Sequence, residues 1–589
     1  MEFWGSNMMG ESILGAFELV FSDPMNIIVV ALAGAFGLVI GAIPGLTATL
    51  GAALLIPFTF FLDPVPAIGA IISMSAMAIF AGDIPGALLR MPGTPSSAAY
   101  VEDAYALTQK GKGAIALGVS LIASSIGGLV GSIILIFLAQ ALGRFAMNFS
   151  SFEYFWVAVL GLTAAVIISR GTQVKGALAL LFGLLISTVG LDVTLGQPRF
   201  TFGVDELYRG IDFIPAMIGL FGLSEVLRNV TTPTEKIRKL PRVKTKGMVR
   251  ESFREIGRNK GKVAQGSAVG ASVGVLPGAG ADIAAWISYA VSKSTSKKRN
   301  EYGKGSLEPI AGAASANNAA LGSAFIPTLA FGIPGDTITA ILIGVLVIKG
   351  VEPGPMLFTG DTSTLFSIYL VFIIANILLL PFGFLLIRGA TSILRIPRPV
   401  LMAMIVAVSV VGAYAINNGY LEIIIVLVFG VLGVLFERFG IPLAPVVLGI
   451  VLGPIVESNF MSSVIKTDWD ITQFFTRPIS AVLIVLTLLL LLFPVISTLI
   501  SKRRGSDVTE EETVSVAAAN TDEDKQADAH AEQDDRTAQE RASGFVNDAD
   551  SGPSTNSESL ENGADGVNDA RSDAPGDARK DEGSEGTER

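Results

Sequence analysis

Recurring uninterrupted apolar runs limit what this chain can fold into more than any other feature. IALGVSLIASSIGGLVGSIILIFLAQAL begins at Ile115 and FSIYLVFIIANILLLPFGFLLI at Phe366. Each exceeds the ~20 residues that carry a helix across a bilayer. Hydrophobic residues make up 51% of the chain and charged ones 16%, the balance of a protein whose solvent is lipid. Lipid offers peptide groups no partners, so the expected fold is an all-α polytopic membrane protein with about 11–12 membrane segments. Cysteine is absent, and the single histidine, His530, falls in the C-terminal tail. Thiolate metal sites, disulfides and histidine proton relays are thereby excluded from the membrane region. Chemistry at membrane depth is left to oxygen ligands and backbone.

The two ends read differently from the body. Residues 1–24 lack the basic start and small-residue cleavage site of a signal peptide, so a short amphipathic or partly inserted helix is expected there. Residues 506–589 are rich in Ala, Asp, Glu, Gly, Ser and Asn and read as a disordered acidic tail. The tail's 24 acidic and 7 basic residues carry −17, so the chain's net −10 leaves +7 on the rest. The acidity describes the tail, which serves as a solvating appendage or a docking arm.

Lys and Arg accumulate between spans at 231–262, with 11 basic residues against 3 Glu, and again at Lys110 and Lys112, Lys293 to Lys304, and Lys502 to Arg504. The positive-inside rule makes these loops cytoplasmic. Segments 191–206, 351–361, 417–420 and 457–476 then lie outside. Both loops flanking 263–292 are basic although that segment is apolar. It is therefore expected to enter from the cytoplasm, turn at LPGAGAD and leave by the same face. Residues 26–62, with their turn at IPGLTAT, read as an opposed hairpin.

Helix breakers recur in matched pairs. GAIPGLTATLGAA from Gly41 is echoed by GVLPGAGADIAAW from Gly274, and IPGALLRMPGTPSSAA from Ile84 by IPTLAFGIPGDTITAI from Ile326. Pro85 and Pro92 correspond to Pro327 and Pro334 at an offset of 242; Pro44 and Pro277 differ by 233. One PG only kinks a packing helix. Four breaks in two matched pairs imply two inverted repeats, each with a re-entrant hairpin and a broken helix, around one polar cavity near the midplane. The parts are then the N-terminal segment 1–24, a first repeat over 25–230, a basic linker over 231–262, a second repeat with a final helix over 263–505, and the tail.

Residue types at the breaks suit such a cavity. Thr47, Thr49, Thr94, Ser96, Ser97, Asp282, Asn317, Asn318, Asp336, Thr337 and Thr339 supply oxygens. Gly45, Gly93, Gly278, Gly280 and Gly335 let backbone approach. Carbonyls freed at a break suit Na⁺, and the N–H groups of the next half-helix suit an anion. The asparagines alternatively hydrogen-bond neighbouring helices together.

GAIPGLTATLGAALLIPFTF, MPGTPSSAAYVEDAYALTQKGKGAIALG, GVLPGAGADIAAW and ASANNAALGSAFIPTLAFGIPGDTITAILIGVLVIKGVEPGPMLF closely resemble the large membrane subunit of tripartite tricarboxylate transporters, the TctA family, over about 26–504. The resemblance implies a permease taking up di- or tricarboxylates by alternating access on a cation gradient, Na⁺ or H⁺, with no cofactor and no enzymatic step. Implied partners are a small integral membrane subunit and an extracytoplasmic solute-binding protein, in the cell membrane with the tail cytoplasmic. No nucleic acid is expected, and a homo-oligomer is left open. Carried over by motif, Arg90, Pro92, Gly93, Thr94, Ser96, Ser97, Asn317, Asn318, Pro334, Gly335, Asp336 and Thr337 would contact substrate. Pro44, Gly45, Thr47, Thr49, Pro277, Gly278, Gly280, Asp282 and Thr339 would hold the cation. Arg90 stands where the family more often has an uncharged polar residue; it reads as a carboxylate clamp or as the partner of Asp83.

Two other function classes fit parts of the pattern. Asp282 and Asp336 beside glycines could form an intramembrane aspartyl protease if they faced each other, and a continuous pore would make an ion channel. Topology separates the repeat reading from ordinary alternation. Cysteines placed at Thr245 and Ser296 of this cysteine-free chain should react with an impermeant maleimide only from the cytoplasm, and one at Asp361 only from outside. Labelling of Thr245 and Ser296 from opposite faces would make 263–292 an ordinary span.

Overall fold

The computed structural model describes residues 6–168, 173–231, 245–277, 280–359, 362–394 and 398–504. Gly278, Asp361 and the acidic tail lie outside the described residues. Met1–Thr498 form one compact unit and Leu499–Arg589 a second.

The described residues are helical almost throughout. The first group is α1 (Ser6–Phe21), α2 (Pro24–Ala42), α3 (Ala48–Thr59), α4 (Pro64–Ala81), α5 (Asp83–Leu89), α6 (Val101–Gln109) and α7 (Gly113–Ala146). Then come α8 (Ser151–Ile168), α9 (Gln173–Ser187), α10 (Phe213–Met217), α11 (Ser224–Thr231) and α12 (Met248–Arg258). The next group is α13 (Lys260–Gly274), α14 (Gly280–Ser294), α15 (Leu307–Phe331) and α16 (Thr337–Ile348). The last is α17 (Thr362–Ile393), α18 (Arg398–Asn417), α19 (Tyr420–Arg438), α20 (Leu443–Lys466), α21 (Gln473–Thr476) and α22 (Pro478–Arg504). A π-helical stretch, Ile218–Leu223, joins α10 to α11. One departure from an all-α chain is a ribbon in which Gly190–Leu191 pairs antiparallel with Pro198–Arg199.

Among the described residues, 8 helices are long and apolar enough to cross a membrane, and five shorter apolar helices accompany them. The segment at the N-terminus is the helix α1, packed against α17. Local signals set several starts. Asp23 accepts from the Met25 N–H ahead of Pro24 at the first turn of α2, and Thr47 caps α3 by accepting from the Leu50 N–H.

One of the most deeply buried helices is far from the most apolar. From Pro309 to Ala330, α15 is buried along its whole length, although its sequence is mostly Ala, Gly, Ser and Asn. Its neighbours come close through glycines. A Cβ on Gly127 of α7 would lie 2.0 Å from the Ser315 carbonyl oxygen, and one on Gly131 2.7 Å from that of Ala319. Cβ atoms on Gly266, Gly270 and Gly274 of α13 would lie 2.0, 2.2 and 2.4 Å from the carbonyls of Gly312, Ala316 and Ala320. In lipid, backbone contact through small residues four apart replaces the hydrophobic drive that holds helices together in water.

The same device appears earlier in the chain. Cβ atoms on Gly37 and Gly41 of α2 would each lie 2.2 Å from a carbonyl of α4, those of Met74 and Ala78. Gly37 and Gly41 precede Gly270 and Gly274 by 233, and Met74 and Ala78 precede Ala316 and Ala320 by 242. Each glycine-faced helix then turns into a second helix, α2 into α3 and α13 into α14, and that second helix packs on the same central helix.

These contacts leave no space at the glycines. Gly270→Leu should lose folded protein at the membrane or depress the apparent melting temperature sharply, because overpacking against backbone has nowhere to relax. Gly257→Ala, on the α12 face with nothing within 4 Å, should stabilise slightly. Thermal size-exclusion profiles of the two detergent-solubilised variants check this, and a tolerated Gly270→Leu would contradict the packing.

Candidate substrate and ion site

The four breaks converge on polar side chains from both halves of the chain. After α5, Arg90 adopts a left-handed conformation (φ 60°) and turns the chain into 91–97. Gly93 donates its N–H to the Gly82 carbonyl at 3.0 Å. It must be glycine, since a Cβ would lie 2.8 Å from Gly82 Cα and 2.9 Å from the Gly41 carbonyl oxygen. The next turn is closed by side chains. Ser97 N–H donates to Thr94 Oγ1 and Thr94 N–H to Ser97 Oγ, both at 3.2 Å. Thr94 Oγ1 and Ser96 Oγ are 3.0 Å apart.

The second break is built alike. Asp336 and Thr339 form a reciprocal cap on α16: Thr339 N–H donates to Asp336 Oδ1 at 2.8 Å and Asp336 N–H to Thr339 Oγ1 at 2.7 Å. Thr94 and Ser97 precede Asp336 and Thr339 by 242. Gly335, which corresponds to Gly93, likewise meets backbone, since a Cβ there would lie 2.7 Å from the Ala324 carbonyl oxygen.

The α2–α3 pair touches the 332–337 break, and the α13–α14 pair touches the 90–97 break. Ser96 N–H donates to Asp282 Oδ1 at 3.1 Å, and Thr49 Oγ1 and Thr337 Oγ1 are 3.0 Å apart. Asn317 Nδ2 donates to Ser96 Oγ at 2.9 Å, so Ser96 joins the 90–97 break, α14 and the buried helix α15. Asn318 Nδ2 donates to the Ala76 carbonyl at 3.3 Å. Residues 76 and 318 are themselves 242 apart. The other amide oxygens, Oδ1 of Asn317 and of Asn318, have no donor among the described residues although both side chains are buried. A buried carbonyl oxygen without a donor costs about 1–3 kcal/mol, so the pair is chemically set to meet a cation or a donor.

Exposure separates the remaining positions. Thr47, Thr49, Asp282, Asp336 and Thr337 are half-buried, while Gly93, Thr94, Ser96, Ser97 and Thr339 are buried. Pro334 and Gly335 are buried, Pro44 and Pro277 half-buried, and Gly45 and Pro92 exposed. Gly280 has φ +59° beside Asp336, where a Cβ would lie 3.2 Å from Asp336 Cβ. Asp282 and Asp336 thus border one another's segments while engaging different donors, the Ser96 amide and the Thr339 cap.

Arg90 behaves unlike the rest. Its side chain is 60% exposed and grips Glu102, with Nε at 3.0 and 3.1 Å from the two carboxylate oxygens. The Arg90–Asp83 ion pair entertained from sequence is not formed. Asp83 is buried and accepts from Tyr100 and Ser120 instead.

A model of the Tripartite tricarboxylate transporter TctA family matches residues 27–448, the span that carries all four breaks and the glycine-gripped helices. The chain belongs to this family. It is also 34% identical over 488 residues, 83% of its own length and 97% of the relative's, to an uncharacterized 52.8 kDa protein in the TAR-I ttuC' 3' region of Agrobacterium vitis. An uncharacterized protein in the TAR-II ttuC' 3' region of the same organism is 37% identical over 234 residues, 40% of this chain and 97% of that one. No solved structure matches. With eight helices among its described residues long and apolar enough to cross a membrane, this TctA-family chain is a multi-pass membrane protein of a tripartite transporter family.

One contact at the site escaped the sequence reading. Trp286 Nε1 donates to the Pro95 carbonyl at 3.1 Å, tying α14 to the first break beside the Ser96–Asp282 bond. Its spacing of four from Asp282, which sets both on one helix face, was the available signal.

If Ser96 is the joint between α15 and the first break, Ser96→Ala should cost about 1–3 kcal/mol by leaving the Asn317 amide N–H without its acceptor. Ser96→Ala and Asn317→Ala together should then cost less than their sum. A double-mutant cycle on thermal stability tests this, and strict additivity would remove the coupling.

Proposed function

We propose that this chain is the secondary active permease of its tripartite transporter, taking up a di- or tricarboxylate by cation symport with alternating access. The observation that carries the reading is the reciprocal contact of each hairpin with the opposite half's break, Asp282 to Ser96 and Thr49 to Thr337. Equal contacts at offsets of 233 and 242, from Gly37–Met74 and Gly270–Ala316 to Thr94–Ser97 and Asp336–Thr339, support two structural repeats. With the basic loops inside, those repeats are inverted and the α2–α3 and α13–α14 pairs are the re-entrant hairpins.

In this reading the helix-start amides of the two breaks, around Gly93 to Ser97 and Gly335 to Thr337, face the carboxylate groups, helped by the amide groups of Asn317 and Asn318. Asp282, Thr49, Thr47 and the turns at Pro44, Gly45, Pro277, Gly278 and Gly280 hold the cation, with Thr339 ordering Asp336 beside them. Negative charge on Asp282 balances the ion, and the ion in turn offsets the charge of the substrate. Arg90, exposed and paired with Glu102, fits the mouth of the site better than its floor. A small membrane subunit and an extracytoplasmic binding protein complete the transporter in the cell membrane, with the tail cytoplasmic.

Ligand-dependent stability is the direct test. Purified protein should melt at higher temperature with one or more members of a panel of di- and tricarboxylates, and more so with the driving cation present, since only the native state binds. Asp282→Asn should abolish the cation's contribution while leaving the protein folded in the membrane. A protein unmoved by every carboxylate, or an Asp282→Asn variant with unchanged cation dependence, would overturn the assignment.

A further inference from the structure

Asp83 takes no part in the site as described so far, yet it is 3% exposed at the start of α5, immediately after the Gly82 that packs on Thr94. Tyr100 Oη donates to its Oδ1 at 2.7 Å, and Ser120 Oγ donates to its Oδ2. No lysine, arginine or histidine pairs with it among the described residues. The charged groups on the elements packed around it are engaged elsewhere. On α6, Glu102 holds Arg90, and Asp103 accepts the N–H groups of Gly303, Gly305 and Ser306. On α7, Arg144 lies in the last turn, far along the helix from Ser120. Neither α2 nor α4 carries a titratable residue.

A carboxylate buried at membrane depth without a cation is costly, and two neutral hydroxyls do not remove its charge. They do something an arginine could not. A hydroxyl donates to an ionised carboxylate and accepts from a protonated one, so Tyr100 and Ser120 serve both forms without moving. Packing does not demand an acid here either. The position 242 further on, by the spacing that matches Pro85 to Pro327, is the fully buried Phe325. Tyr100 links the acid to the site, since it follows the Ser96–Ser97 turn directly and its hydroxyl borders the Asn317 amide.

We propose that Asp83 is a proton-binding site, separate from the cation site around Asp282, whose protonation is coupled to carboxylate binding. A proton from water adds to a carboxylate oxygen, one of the two hydroxyls turns from donor to acceptor, and the same proton leaves to water when the site opens to the other side. The coupling part rests on the transport reading above.

Infrared difference spectroscopy of the full chain in lipid nanodiscs separates the two claims. Subtracting an Asp83→Asn spectrum from that of the wild type cancels every other carboxyl, including those of the tail. A protonated-carboxyl carbonyl band should remain at pH about 6, where exposed carboxylates are ionised. Tyr100→Phe, which keeps the shape and removes one hydroxyl, should change the band's frequency and move its appearance to higher pH. Absence of the band would overturn the proton site, and, should Asp83→Asn fail to fold, a Tyr100→Phe spectrum identical to that of the wild type would overturn it instead. For coupling, thermal stabilisation by the carboxylate panel should strengthen as pH falls through the range in which the band appears, and Asp83→Asn should lose that dependence. An unchanged dependence in the variant overturns the coupling. A band without stabilisation by any carboxylate would sink the transport reading while leaving the proton site standing.

Discussion

Contact between the backbone of α15 and the glycine faces of α7 and α13 is the constraint on which everything else depends. With no Cβ at Gly127, Gly131, Gly266, Gly270 and Gly274, two helices approach the carbonyls of a third closely enough that no larger side chain fits. Dispersion and weak Cα–H contacts at that distance hold the three together in a medium that supplies no hydrophobic drive. The consequence is a central helix of small residues that is buried without being strongly apolar, and so can carry Asn317 and Asn318 at its middle. A leucine-rich helix at this place would have no room for them.

Rigid backbone packing also explains how broken helices survive next to it. Peptide groups freed at 43–47, 90–97 and 332–336 are satisfied by local devices, the Thr47 cap, the Thr94–Ser97 pair and the Asp336–Thr339 box. Each device uses a short hydroxyl or carboxyl side chain in place of the missing helical bond. In the function proposed above, the side chains that complete the backbone are also the polar groups that a small charged ligand meets. Local structure and site chemistry are one set of residues here, which ties the tolerance of the breaks to the function proposed for them.

Much of this was legible in the chain before it was folded. Runs beyond spanning length required helices, because no other single-chain structure apart from a closed barrel satisfies its peptide groups in lipid. The doubled prolines, at offsets of 242 and 233, located the breaks, and the threonines, serines and aspartates beside them marked the polar positions. The long ASANNAALGSAFIPTLAFGIPGDTITAI string carried the family. Periodicity could not say which helix would be central. Burial of α15 depends on glycines of α7 and α13 lying nearly 200 and about 45 residues away, and no local pattern records that pairing.

Partner choice was likewise decided only by the tertiary structure. From sequence, Arg90 read equally as a carboxylate clamp or as an arginine snorkelling or paired with Asp83 seven residues earlier. The left-handed turn at Arg90 instead throws its guanidinium outward to Glu102, while Asp83 points inward to Tyr100 and Ser120. The crossed contacts, Asp282 to Ser96 and Thr49 to Thr337, join residues 186 and 288 apart. The sequence determined the solvent, the helices, the breaks and the chemical types at them, because each follows from composition and local backbone rules. Which of those oxygens meet was fixed by close helix packing, because a hydrogen bond depends on tenths of an ångström that only the assembled backbone sets.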